Sequence, residues 1–191
     1  MRIYTDTAAD LPKEYYSEAN VYAFPLSVEI DGKTYKDVFE MDGVTLYEAI
    51  KNGAQPKTSQ VSPDTFLSEF EELAKSGEEG LYISFTSGLS GTNSTANMIR
   101  NQLLETYPDL KLTIIDSNCA SFGQGLVVKE AVRLRNEGKS FEEVVVALIN
   151  AVKLVQKDVG NMKVVINGAG AAGIAILRIL EIVLKGLVKV T

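Results

Sequence analysis

Short apolar segments alternate with longer amphipathic ones along this 191-residue chain, and that alternation leaves few architectures open. "RIYTDT" (2–7), "VYAFPLSVEI" (21–30), "GLYISFT" (80–86) and "KLTIIDS" (111–117) read as strands. The helical segment "SPDTFLSEFEELAKSG" (62–77) is punctuated at both ends, with Ser62 as N-cap, Pro63 as first helical residue and Gly77 as the stop. Within it Phe66, Phe70 and Leu73 recur at i, i+4, i+7 and make one apolar face. Leu11-Pro12 opens a helix after the first strand, "VTLYEAIKNG" (44–53) closes one on Gly53, and 91–108, 122–138 and 140–158 supply three more. "DGKTYKDV" turns through Asp31-Gly32 as a short hairpin. Nearly all-apolar strands separated by helices require a mainly parallel sheet covered on both faces, a three-layer α/β fold.

Composition removes several function classes. Nineteen Lys and Arg against 25 Asp and Glu give a net charge of −6, with no basic run longer than two residues, so a phosphate-backbone groove is not expected. Apolar residues make up 46 % of the chain, enough for a core without metal or disulfide. The single cysteine, Cys119, permits no intrachain disulfide and fits a reducing cytosol. "MRIYTDTAADLP" lacks the apolar centre of a signal peptide, and Arg178, Glu181 and Lys185 interrupt the most hydrophobic stretch, so a soluble cytoplasmic protein is expected. The chain has no histidine, which excludes a Ser-His-Asp triad, a Cys-His dyad and any histidine-ligated metal. The remaining carboxylates and lysines form no obvious catalytic grouping, so the chain reads as a binding protein rather than an enzyme.

In parallel sheets ligands bind beyond the carboxyl ends of the strands. Four polar segments are expected at that rim: Thr5-Asp6-Thr7, "TSGLSGTNS" (86–94), "SNCASFGQG" (117–125) and "PKTSQVS" (56–62). They offer hydroxyls and helix N-termini rather than Lys or Arg, which suits a single carboxylate held by neutral donors. The same residue types also serve as turns and N-caps with no ligand at all.

"TDTAADLP", "PKTSQVSPDTF", "TSGLSGTNSTA" and "IDSNCASFGQG" resemble, in order and spacing, the motifs of DegV-family proteins from Met1 to about Val146. The resemblance implies a lipid-binding domain (1–146) that holds a long-chain fatty acid and, in some members, presents it to the catalytic subunit of a fatty-acid kinase. It implies that Thr58 and Ser90 hydrogen-bond the carboxylate, supported by Ser59 and by the N–H groups near Gly91 and Thr92. Asp6 and Asp116 are read as loop organisers. Two positions depart from the family pattern: Thr86 stands in place of a second serine and Asn93 in place of an aromatic. Beyond residue 146 the chain does not resemble the family's second domain. An acyl tail is therefore expected to lie partly open, at a cost of about 0.8 kcal/mol per methylene left in water, and the open apolar face could drive a homodimer.

From about Ala147 the text resembles instead the start of the NAD-binding domain of malic enzymes. "KVVINGAGAAGIAILRIL" (163–180) runs from an apolar strand into Gly168-x-Gly170-x-x-Gly173 and then a helix, a Rossmann-type βαβ fragment. The acidic residue that would hold a ribose should follow the next strand, "LVKVT", and the sequence stops at Thr191. Residues 147–191 are accordingly read as a half-Rossmann segment packed into the same domain, in a chimera of two families. NAD binding through Gly168, Gly170 and Gly173 is the alternative function, and a structural chimera with no retained ligand the third reading.

Overall fold

The punctuation of segment 62–77 shows how local signals are turned into structure. Helix α3 spans Pro63–Ser76; the Ser62 side chain accepts from the Thr65 N–H at 3.3 Å and Gly77 takes a left-handed φ of 69° at the C-cap. Phe66, Phe70 and Leu73 are completely buried. The computed structural model describes residues 1–154. The chain divides into two compact units, Met1–Ile149 and Asn150–Thr191, and everything described belongs to the first apart from the end of the last helix.

Strands β1 (Arg2–Asp6), β2 (Val21–Phe24), β6 (Gly80–Ser84) and β7 (Leu112–Asp116) form a four-stranded parallel sheet in the order β2-β1-β6-β7. Side chains alternate across it. Tyr4, Phe24 and Tyr82 meet Phe66 and Phe70 of α3 and Ala96, Ile99 and Leu103 of α4 (Thr92–Thr106) in one buried cluster. The next residues in the alternation, Thr5 and Ile83, face α5 (Phe122–Asn136), whose Gln124 amide donates to both. Helix α1 (Lys13–Glu18) links β1 to β2, and α6 (Phe141–Leu154) follows α5, burying Val144 and Leu148. The expected three-layer arrangement is therefore present, with helices on both faces of a parallel sheet.

Two expectations fail in detail, and both failures matter for the site. Segment 21–30 is not one strand. The chain leaves the main sheet after Phe24, passes Pro25, and re-forms as β3 (Ser27–Ile30) in a second, antiparallel sheet of order β4-β3-β5. Strand β4 (Lys33–Lys36) pairs with β3 across the Asp31-Gly32 turn, whose φ values of 51° and 76° place both residues in the left-handed region that Asp-Gly tolerates. Segment 56–62, read as a loop, contains β5 (Lys57–Ser59), which pairs antiparallel with β3 so that Thr58 lies opposite Val28 and Ser59 opposite Ser27. Helix α2 (Gly43–Lys51) stands between these strands and has Asp42 as its N-cap. The strand, helix and strand stub anticipated beyond 163, with Gly168, Gly170 and Gly173, lie outside the described residues.

Candidate functional site

Strand β1 continues to β2 on one side of the sheet, whereas β6 and β7 are added on the other, so the topological switch point falls between β1 and β6. Crevices at such points, beyond the strand carboxyl ends, are where parallel sheets bind ligands. Asp6 ends β1 there and is completely buried. Its carboxylate accepts from the Tyr82 hydroxyl at 2.8 Å, the Phe85 N–H at 2.9 Å and the Gln124 amide at 3.1 Å. Burial holds the Asp6 carboxyl above its ordinary value despite these three donors, and burial together with Asp6 raises the Tyr82 phenol, which stays a donor. One carboxylate thus joins the ends of β1 and β6 to the first turn of α5.

The loop leaving β6 is held at nearly every N–H. Phe85 donates to Asp6, Thr86 to the Cys119 carbonyl at 3.2 Å, Ser87 to Asp116 at 3.2 Å, and Gly88 to the Thr86 hydroxyl at 3.3 Å. Asp116, at the end of β7, also accepts from the Asn118 N–H at 3.0 Å. Asp6 and Asp116 therefore grip the same loop from the two strands that flank β6. Asn93 closes it from the helix side, its amide donating to the Ser84 hydroxyl at 2.6 Å. Cys119 sits half-buried, and burial and the negative charge of Asp116 push its thiol up, away from activation.

What this loop leaves open is the start of α4. Gly91 is the N-cap, and no side chain caps it. The half-buried Ser90 hydroxyl lies 2.9 Å from that of Thr92, which is completely buried, and accepts from the Thr92 N–H at 3.2 Å. Thr58 and Ser59 are exposed on β5, and the residue after them makes the connection. Gln60 donates to the Thr95 hydroxyl at 3.0 Å, and its Oε1 lies 2.3 Å from the point a Cβ on Gly91 would occupy. The strand carrying Thr58 and Ser59 is thereby tied to the helix start carrying Ser90, Gly91 and Thr92. Leu89, in the loop leading into α4, and Phe122, the first residue of α5, stand more than 70 % exposed, with Leu126 exposed one turn further on. Hydroxyls and a helix N-terminus next to the exposed Leu89 form a rim that can take a small anionic headgroup attached to an apolar body.

Three residues of this arrangement were missing from the sequence reading: Gln60, Tyr82 and Gln124. Tyr82 sits in an apolar strand run and reads as core; Gln60 and Gln124 lie inside the flagged segments without a feature to separate them from their neighbours. A cavity of about 690 Å³ follows edge strand β2 between Tyr16, Tyr22, Lys36 and Phe39, and none of the rim residues lines it. Among the described residues no helix is long and apolar enough to cross a membrane.

Comparison with known proteins agrees with this fold. The profile of a family described as "Uncharacterised protein, DegV family" matches residues 1–157. A DegV domain-containing protein of Lactococcus lactis, YteA, is 37 % identical over 157 residues, covering 81 % of this chain and 54 % of that protein. A stearic acid-binding protein from Eubacterium ventriosum superposes with a TM-score of 0.72 at 31 % identity, over 78 % of this chain and 52 % of that one. The Streptococcus pneumoniae Fatty Acid Kinase (Fak) B3 protein loaded with linoleic acid superposes with a TM-score of 0.67 at 25 % identity, over 80 % and 54 %. The chain spans about half the length of the curated relatives it matches.

Proposed function

The chain belongs to the DegV family over residues 1–157, and from that premise we propose that it is a carrier that binds a long-chain fatty acid by its carboxylate rather than an enzyme that transforms one. The observation that carries this reading is the Gln60 tie between β5 and the start of α4, which brings the segment of Thr58 and Ser59 to the segment of Ser90, Gly91 and Thr92. In the proposal the Thr58 and Ser90 hydroxyls donate to the carboxylate oxygens. Ser59 adds a neutral donor and the α4 N-terminus partial positive charge, but the Thr92 N–H, expected from the sequence to reach the carboxylate, is spent on Ser90 Oγ. The acyl chain runs over the apolar side chains of Leu89, Phe122 and Leu126. The stearic acid-binding protein and the structure loaded with linoleic acid support the ligand class, and the kinase named for the second supports a partner kinase subunit as recipient of the carboxylate. Asp6 and Asp116 hold the intervening loop and do not touch the ligand.

The test is the affinity of the purified chain for oleic acid, read by native mass spectrometry and by thermal shift. Thr58→Ala with Ser90→Ala removes two hydrogen bonds to a charged group and should weaken binding at least about a hundredfold while leaving the fold intact. Binding that survives the double substitution places the headgroup elsewhere. Stabilisation by NAD in place of fatty acid would move the function to Gly168, Gly170 and Gly173, the alternative that rests on the strand–turn–helix text alone.

A further inference from the structure

Thr92 is completely buried, and among the described residues its hydroxyl has one partner, the Ser90 Oγ at 2.9 Å. A buried hydroxyl proton without an acceptor is costly, so the direction of this bond is decided by which proton has somewhere else to go. Among the described residues the Thr92 proton has no other acceptor. The Ser90 proton does, because Ser90 is half-buried at the rim. Thr92 therefore donates to Ser90. Ser90 Oγ also accepts from the Thr92 N–H at 3.2 Å, so both acceptor positions of the serine oxygen are filled by one residue. What remains to Ser90 is its own proton, directed at the rim.

We infer that Thr92 is a specificity-determining residue: by filling both lone pairs of Ser90 it makes that hydroxyl an obligate donor, and so selects headgroups that only accept, carboxylates, over headgroups that must donate. The inference rests on the proposal that Ser90 meets the headgroup. A fatty alcohol can accept from Ser90 but finds no acceptor on Ser90 Oγ for its own proton. An ionised carboxylate has no proton to place. With the Thr92 hydroxyl removed, one lone pair of Ser90 is released and the alcohol proton gains an acceptor. Thr92 acts through Ser90 and has no contact with the ligand.

The experiment compares palmitic acid with hexadecan-1-ol on the full 191-residue chain at a pH where the acid is ionised, by competition against a fluorescent acyl probe. Wild type should prefer the acid. Thr92→Val, nearly isosteric, should lower the acid-to-alcohol affinity ratio by roughly fivefold, the weight of one ordinary hydrogen bond, and Thr92→Ser should restore it. The ratio is the informative readout, because a merely structural defect weakens both ligands alike. Should Thr92→Val fail to fold, Thr92→Ala makes the same comparison without placing a branched side chain in the buried position. An unchanged ratio in a folded, hydroxyl-less variant overturns the role of Thr92 and leaves fatty-acid binding standing. Wild-type protein that binds neither compound overturns the functional reading, and this inference with it.

Discussion

At the scale of single residues, Asp6 is a completely buried carboxylate held by three donors. Its donors come from two segments distant in the chain, Tyr82 and Phe85 at the end of β6 and Gln124 in α5. Asp6→Asn would turn an amide N–H towards one of those donors, and the variant should lose about 1–3 kcal/mol at neutral pH. The pH dependence has a definite sign. Because burial raises the folded carboxyl above its ordinary value of 3.8, the folded state binds the proton more readily than the unfolded chain. The stability wild type owes to Asp6 is thus greatest below 3.8 and declines as pH climbs through the folded value. Urea unfolding of both proteins from pH 3.5 to 7 should show the wild-type advantage over Asp6→Asn shrinking with rising pH; an advantage that grows would mean the three hydrogen bonds outweigh desolvation. None of this was legible in "YTDTAAD", where Asp6 reads as a strand-end turn residue. Its partners lie 76, 79 and 118 positions away, and no local pattern announces a contact that distant.

Among elements, legibility followed how local the cause was. Helix α3 could be read to the residue because Ser62, Pro63 and Gly77 act on their own neighbours and the apolar spacing is that of one helix. Strand β5 could not. Lys57, Thr58 and Ser59 are all exposed and carry no apolar alternation, and they become a strand only because β3 lies beside them. The motif residues Thr58 and Ser90 were legible through their resemblance to a family; the Gln60 tie that relates them was not, because it exists only between two elements. That tie can be tested as a unit. Gln60 is exposed, so Gln60→Ala should change stability by no more than about 0.5 kcal/mol. It should nevertheless weaken oleic acid binding several-fold by loosening β5 from α4. Gly91→Ala drives its Cβ into Gln60 Oε1, the far end of a flexible side chain, and should displace the same amide. Titration calorimetry on the double variant should find no further loss beyond Gln60→Ala alone. Fully additive losses would show that the two positions act separately.

Across the whole molecule, the two sheets are unequal in what secures them. In the main sheet Tyr4, Phe24, Phe66, Phe70 and Tyr82 form a nest of rings with centroids 4.5 to 6.2 Å apart, all buried. The small sheet has Val28, Ile30 and Met41 as its buried core, with Tyr35, Leu46, Ala49 and Ala54 only partly covered. Less apolar burial means a lower free energy of local opening, so β3 and β5 should exchange their amide hydrogens well before β1 and β6. A ligand that bridges Thr58 on the small sheet to Ser90 on the main layer couples these two stabilities. It binds the closed arrangement alone, and its binding energy is added to the opening of the weaker part. Hydrogen exchange with and without saturating oleic acid should then show protection concentrated in β3, β5 and the first turn of α4, with β1 and β6 nearly unchanged. Protection confined to α4, with β5 exchanging as before, would mean that the headgroup rests on the helix start alone and that Thr58 takes no part in holding it.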